Sequence, residues 1–236
     1  MTSSTADIGA SPLGTVLVTG ASRGLGRALA EAYAAGGWRV IACVRQVPEG
    51  GLGSMLCEAL DVADAASIEA LGRRLEGEAI DIVINNAAIR GDVGGLSSLE
   101  TNDFLEVMRI NALAPLLVAR ALKPNLLAAQ RRVLVSISSR AGSLAEGTLD
   151  DDDGDYAYRC SKAALNMATV KLAQDFRSDG IAVISLHPGW VRTDMGGAQA
   201  QLAVAESVAG LKALIDQTTM ADTGSFRAYD GKTVSW

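Results

Sequence analysis

Short runs of apolar residues alternate along this chain with longer stretches whose apolar positions recur every three or four residues. The short runs, at Thr15–Thr19, Arg39–Val44, 55–60, 81–85, 133–138 and 181–186, have the length of strands. The longer stretches, at Gly24–Ala35, 65–76, 101–127 and 158–178, have the spacing of helices that bury one face. Strand–helix alternation predicts a parallel sheet covered on both sides, because parallel strands need crossover connections. Strands covered on both faces should be apolar nearly throughout, and VLV, VIACV and IVI are. The expected fold class is α/β: one doubly wound parallel sheet of about seven strands.

No internal repeat and no Pro- or Ser-rich linker divides the 236 residues, so residues 14–236 read as one domain. Residues 1–13 are small, polar and aperiodic, and predict a mobile tail. The run DDDDGD at 150–155 predicts a solvated loop, since its carboxylates repel one another. A net charge of −6 argues against broad binding to nucleic acid or an anionic membrane. The apolar runs fall far short of the ~20 residues that cross a bilayer, and no basic segment leads into an apolar one at the N-terminus. Cys43, Cys57 and Cys160 form no CxxC pair and fit free thiols. Together these point to a soluble cytoplasmic protein. No Cys/His/carboxylate cluster has metal-ligand spacing, so no metal is expected.

Chemistry begins at TVLVTGASRGLG, residues 15–26, where a strand runs into glycines and then a helix. Gly20 permits the tight turn; Gly24 and Gly26 let the backbone approach a pyrophosphate seated on the helix N-terminus. Gly20, Ser22, Arg23, Gly24, Leu25 and Gly26 are the expected dinucleotide loop of a Rossmann-type fold. Where an NAD site carries an acid at the end of the second strand, this chain reads Val44-Arg45. Arg45, and Arg23 within the loop, have the guanidinium geometry that pairs with a 2′-phosphate. NADP(H) is therefore expected over NAD(H).

The pattern Thr19-Gly20-x-x-x-Gly24-x-Gly26 resembles the TGxxxGxG of the short-chain dehydrogenase/reductase family, and the likeness runs on through the chain. Asp61-Val62 is similar to the dipeptide that meets the adenine ring. Asn85-Asn86-Ala87 resembles the family's NNAG, with Ala88 in place of the last glycine, and Asn86 and Ala87 would contact the cofactor. The methyl of Ala88 is acceptable there if that backbone avoids positive φ. Asn111 matches the helix asparagine, which in the family holds a water in a proton relay behind the lysine. Ser138-Ser139 matches the serine site, with Ser139 expected to hold the substrate oxygen and Ser138 the fallback. Pro188, Gly189, Val191 and Thr193 resemble the turn that contacts the nicotinamide. YAYRCSKAALNMA, HPGWVRTDMGG and the closing YDGKTVSW are similar to the C-factor branch, itself close to small carbonyl reductases. The resemblance implies homodimers or homotetramers, and the segment 226–236, with its Trp and Tyr, is a candidate subunit contact.

Carbonyl reduction by hydride needs a proton donor at the substrate oxygen. A free phenol titrates near ~10, and a nearby ammonium lowers that value. Four residues of helix turn ~400°, which leaves two side chains ~40° apart on one face. Tyr158 and Lys162 meet this condition; Tyr156, six positions from Lys162, points away. Tyr158 is the expected acid/base, and Lys162 by resemblance also grips the nicotinamide ribose. His187 reads as a packed structural residue rather than a catalyst. Tyr158 follows Ser139 by 19 positions, a longer gap than the family's, and the gap contains the acidic run. That loop is expected at the site's mouth, where it would disfavour anionic substrates unless it is a solvated bystander. Residues 196–216 are expected to shape the pocket. The expected function is reversible carbonyl/alcohol hydride transfer on a small molecule. The rival, suggested by the C-factor likeness, is a signalling or regulatory protein that binds NADP(H) with little turnover.

Overall fold

The structure is a computed structural model, and it describes residues 11–147 and 154–236. Residues 1–10 of the expected tail and 150–153 of the acidic run lie outside the described residues. Seven parallel strands form one sheet in the order β3-β2-β1-β4-β5-β6-β7. They are β1 (Thr15–Thr19), β2 (Arg39–Val44), β3 (Leu56–Ala59), β4 (Ile82–Asn85), β5 (Val133–Ile137), β6 (Ala182–His187) and β7 (Phe226–Ala228). The helices are α1 (Gly24–Ala35), α2 (Ala65–Arg74), α3 (Thr101–Met108), α4 (Ala114–Ala128), α5 (Tyr156–Asp175) and α6 (Val204–Gln217).

Neighbouring residues of one strand serve opposite layers. Val16, Val18, Ile82, Ile84, Val133 and Val135 pack against Leu29 and Tyr33 of α1 and Leu211 and Ile215 of α6. Leu17, Val83 and Leu134, offset by one residue, pack against Ile68 and Leu71 of α2, Val118 and Leu122 of α4 and Leu172 of α5. This period of two within all-apolar strands builds two cores on one sheet. β1 and β4 are neighbours from which the chain winds outward in opposite directions, and the crevice beyond their carboxyl ends is the place for a ligand. Among the described residues no helix is long and apolar enough to cross a membrane.

Two expectations change. The helix expected at 101–127 is two helices joined by a π-helical turn, Arg109–Leu113, followed by Pro115 at the start of α4. Such a turn inserts an extra residue and re-aims its side chains, and here it turns Asn111 inward to full burial. The segment 196–216 is mostly α6, whose Val208, Leu211, Leu214 and Ile215 belong to the core rather than to a pocket. The segment 226–236 gives β7: Phe226 is buried and stacks on Trp236 with ring centroids 5.2 Å apart. Trp236 stays 40% exposed on the outer side of that stack. Leu13, at the end of the expected tail, donates its amide to the Gly37 carbonyl at 3.1 Å.

Candidate active site

β1 delivers the glycine loop. Gly20 and Gly24 take φ of +68° and +57°, a left-handed conformation that side chains disfavour. Gly26 is fixed by contact instead: a Cβ there would lie 2.3 Å from Asn86 Nδ2 and 2.5 Å from the Gly20 carbonyl. Asn86 holds the loop from below, donating its side-chain amide to the carbonyls of Thr19 (2.9 Å) and Gly20 (3.4 Å). The Thr19 hydroxyl accepts the amides of Asn86 (3.0 Å) and Ala87 (3.1 Å). Ala87 presses on Gly20, where a Cβ would come within 2.9 Å of Ala87 Cα. Ala88 avoids positive φ, as its methyl requires.

Arg23 caps α1 without a side-chain hydrogen bond, and the first turn holds no acid. A helix start left open in this way, with Ser22 and Gly24 exposed beside it and Leu25 packed on the core, suits a pyrophosphate. Arg23 itself turns to Asp194, with Nη1 at 2.5 Å from the carboxylate. Its guanidinium thereby ties the glycine loop to the segment after β6. Arg45 is exposed just past the end of β2. Asp61, exposed after β3, accepts the Ala63 amide at 2.9 Å, and Val62 packs on the core. Thr193 closes the other side of the loop, its methyl 3.7 Å from where a Gly24 Cβ would be. Behind it, Gly189 takes φ +83°, Val191 bridges to Leu202, and the Pro188 carbonyl accepts the Ser207 hydroxyl at 2.6 Å.

The serine, tyrosine and lysine converge at the end of β5. Gly142 lets the turn after β5 press onto α5, since a Cβ there would lie 2.5 Å from the Lys162 carbonyl carbon. The Ser139 hydroxyl lies near enough to the Tyr158 phenol to favour its ionised form, and accepts the Ala141 amide at 3.1 Å. Ser138 faces the core and donates to Asn166 Oδ1 at 2.6 Å, while Ser139 is the one of the pair on the Tyr158 side. Lys162, 3% exposed, donates to the Ile137 carbonyl at 2.9 Å, with Nζ 5.6 Å from the Tyr158 ring centroid.

Burial raises the Tyr158 phenol above its usual value, against smaller lowering effects from the Ser139 hydroxyl and the Arg90 charge. Burial alone brings Lys162 down to about 8. The lysine nitrogen lies over the ring and donates one hydrogen to the Ile137 carbonyl. The resting tyrosine is a protonated acid.

Asn111 uses both ends of its amide on the Ile89 backbone, accepting from its amide (2.9 Å) and donating to its carbonyl (2.7 Å), and also donates to Ser161 at 3.0 Å. It clamps the chain after β4 against α5. Asp155 corrects the picture of a wholly solvated acidic run: it is 5% exposed and ion-paired to Arg90. Arg90, Thr19 and Asn166 were not legible as site residues, because each acts through a partner distant in sequence.

His187 accepts the Arg140 amide at 3.3 Å, fixing the turn that follows Ser139. Burial first, then the Arg140 charge, push its pKa down to about 4. An unfolded imidazole titrates near ~6.5. Between these values the unfolded chain binds a proton that the fold refuses, so stability falls as pH drops from about 6.5 to about 4. His187→Asn keeps an acceptor and should flatten this dependence, by up to about 3 kcal/mol across the window. Urea midpoints of both proteins at several pH values check it.

The three cysteines are free thiols, Cys43 buried and Cys160 exposed. Among the described residues no group of three His, Cys, Asp or Glu is placed to hold a metal ion. Two helix–helix grooves, one lined by Ala28, Ala32 and Val208 and the other by Gly72, Ala121 and Pro124, carry none of the groups above.

Comparison with known proteins accords with this geometry. C-signal of Myxococcus xanthus is 43% identical over 157 residues, which cover 66% of this chain and 93% of that protein. The 1-hydroxy-2-glutathionyl-2-methyl-3-butene dehydrogenase of Rhodococcus sp. (strain AD45) is 33% identical over 232 residues, 95% of this chain and all (100%) of the relative. The crystal structure of NADPH-bound carbonyl reductase from chicken fatty liver superposes with a TM-score of 0.87 at 34% identity, over 95% of this chain and 100% of that one. The family model for short chain dehydrogenases matches residues 14–203, from the residue before β1 to the one before α6. With that match over a glycine loop, serine, tyrosine and lysine in the order and places described, the chain belongs to the short chain dehydrogenase family of oxidoreductases.

Proposed function

We propose that this protein is an NADP(H)-dependent oxidoreductase that interconverts small carbonyl compounds and alcohols, with Ser139, Tyr158 and Lys162 as its catalytic set. The observation that carries the reading is the meeting of Ser139, Tyr158 and Lys162 at the end of β5, in a sheet whose β1 leads into an open glycine loop. A bound nicotinamide would supply the hydride. Gly20, Ser22, Gly24, Leu25 and Gly26 would hold its pyrophosphate and Arg45 its 2′-phosphate; Asp61 and Val62 would flank the adenine. Asn86, Ala87, Pro188, Gly189, Val191 and Thr193 would wall the nicotinamide end.

Ser139 orients the substrate oxygen through its hydroxyl. Tyr158 delivers a proton to that oxygen as the carbonyl is reduced, and burial keeps the proton in place until then. Lys162, buried and partly neutral near pH 8, lies over the phenol's ring and would hold the ribose of a bound nicotinamide nucleotide. Asn111 is a positioning residue, with its side chain committed to Ile89 and Ser161. The NADPH-bound carbonyl reductase and a putative short-chain dehydrogenase/reductase of Burkholderia multivorans with bound NADP support the cofactor. Exposed Leu105 and Met167, on α3 and α5, support a homodimer or homotetramer.

The test is NADPH oxidation against a panel of aldehydes, ketones and quinones. Turnover on at least one class is expected. A signalling protein with tight NADPH binding and no turnover is the second reading, favoured by the C-signal relative alone. Cofactor choice is tested separately. Arg45→Ala should weaken NADPH binding about 10- to 100-fold and leave NADH unchanged, the loss expected for charge-assisted hydrogen bonds. Equal losses for both cofactors in a binding titration would assign Arg45 another role.

A further inference from the structure

We propose that Arg90 and Asp155 form a positioning pair that fixes where the helix bearing Tyr158 begins and sets the charge its hydroxyl faces. The inference rests on the acid/base role given to Tyr158 above. Asp155 takes φ 58° and is the one residue other than glycine, among those described, in the left-handed region. Three tethers keep it in that disfavoured conformation. Its amide donates to the Val93 carbonyl at 3.3 Å, and its carbonyl accepts the Arg159 amide at 2.9 Å. Its carboxylate accepts Arg90 two-fold, from Nε at 2.9 Å and from Nη2 at 2.5 Å. Gly154 makes the approach possible, since a Cβ there would lie 2.2 Å from the Val93 carbonyl oxygen. The chain after β4 and the start of α5 are thus one clasped unit, and Tyr158 stands in the first turn of that helix.

A fork-to-fork pair of this kind holds direction as well as distance. Among the described residues, the charged and titratable groups near the phenol come from three elements. They are Arg90 from the segment after β4, Asp155 and Lys162 from α5 and its start, and the Ser139 hydroxyl from the turn after β5. Within this set the Arg90 charge favours the phenolate and the Asp155 charge opposes it. A purely structural clasp would leave the proton affinity of Tyr158 untouched when either charge is removed. A positioning pair would move it in opposite directions.

The test is the titration of Tyr158 in ligand-free protein, with tyrosines labelled by carbon-13 at Cζ and the resonance assigned by its loss in Tyr158→Phe. Asp155→Asn tolerates the left-handed backbone and removes the anion, and should lower the midpoint by about half a unit or more. Arg90→Gln should raise it, Arg90→Lys should hold it near the parent, and the double variant Arg90→Gln/Asp155→Asn should fall between the two singles. Should Arg90→Gln fail to fold, Asp155→Asn against the parent decides the sign. Coincident midpoints, or a rise in Asp155→Asn, overturn the proposal. The readout needs neither cofactor nor turnover, so it separates failure of this inference from failure of the oxidoreductase reading.

Discussion

Tyr158→Phe is expected to lower kcat for carbonyl reduction by about 10²- to 10⁴-fold, the usual worth of a positioned proton donor. The substitution removes one oxygen from a half-buried ring and leaves the ring's contact with Lys162 in place. NADPH affinity and thermal midpoint should therefore change little, and the loss should fall on kcat rather than on cofactor binding. The phenol is raised by burial, so reduction should hold its rate through neutral pH and fall only on the alkaline side. Alcohol oxidation needs the phenolate and should rise over that same alkaline range. Steady-state kinetics in both directions, with a binding titration of the variant, check these expectations. A Phe variant with near-parental kcat would place the proton donor elsewhere.

Gly26→Ala should have the second-largest effect, and on binding rather than on the chemical step. Its methyl would enter space held by Asn86 Nδ2 and the Gly20 carbonyl, at 2.3 and 2.5 Å. Both neighbours are fixed: Asn86 is bonded to the backbone of Thr19 and Gly20, and Gly20 abuts Ala87. The loop must shift to admit the methyl, at a cost of about 1–3 kcal/mol in stability. The start of α1 moves with it, so NADPH affinity should fall at least about tenfold. Gly24→Ala is the informative control. Its Cβ meets nothing closer than 3.7 Å, and only the φ of +57° opposes it, at about 1–2 kcal/mol. Calorimetric binding of NADPH to the two variants separates crowding from backbone strain. A Gly24 variant weaker than the Gly26 variant would contradict the steric account.

Local patterns were legible in the sequence, and distant pairings were not. β1, β2, β4, β5 and β6 could be read because strands covered on both faces are apolar throughout. β7 escaped because three residues followed by a turn carry no period. α6 escaped because its small and aliphatic residues read equally as a pocket wall, and the buried Leu211 and Ile215 show their helical face only once α1 lies against them. The π turn at Arg109–Leu113 could not be seen, since the apolar spacing runs through it without a break.

The site divides in the same way. Tyr158 and Lys162 lie four apart on one helix, so elementary geometry places them together. The glycine loop is contiguous. Asn86 buttressing Gly26, Ser138 spent on Asn166, and Arg90 clasped to Asp155 depend on contacts across 28 to 67 positions, which no local pattern announces. The acidic run misled for a related reason. Its charges argue for solvent as a group, yet one member, Asp155, finds an arginine and is buried.

The account turns on hydride passing to a carbonyl while Tyr158 supplies the proton. The direct measurement uses NADPH deuterated at its transferable position, incubated with aldehydes, ketones and quinones, and mass analysis of the alcohols or quinols formed. Deuterium should appear on the carbon that was the carbonyl of at least one substrate, and be nearly absent from the same reaction with Tyr158→Phe. Tight NADPH binding with no label in any product, or label transfer undiminished in Tyr158→Phe, would contradict it.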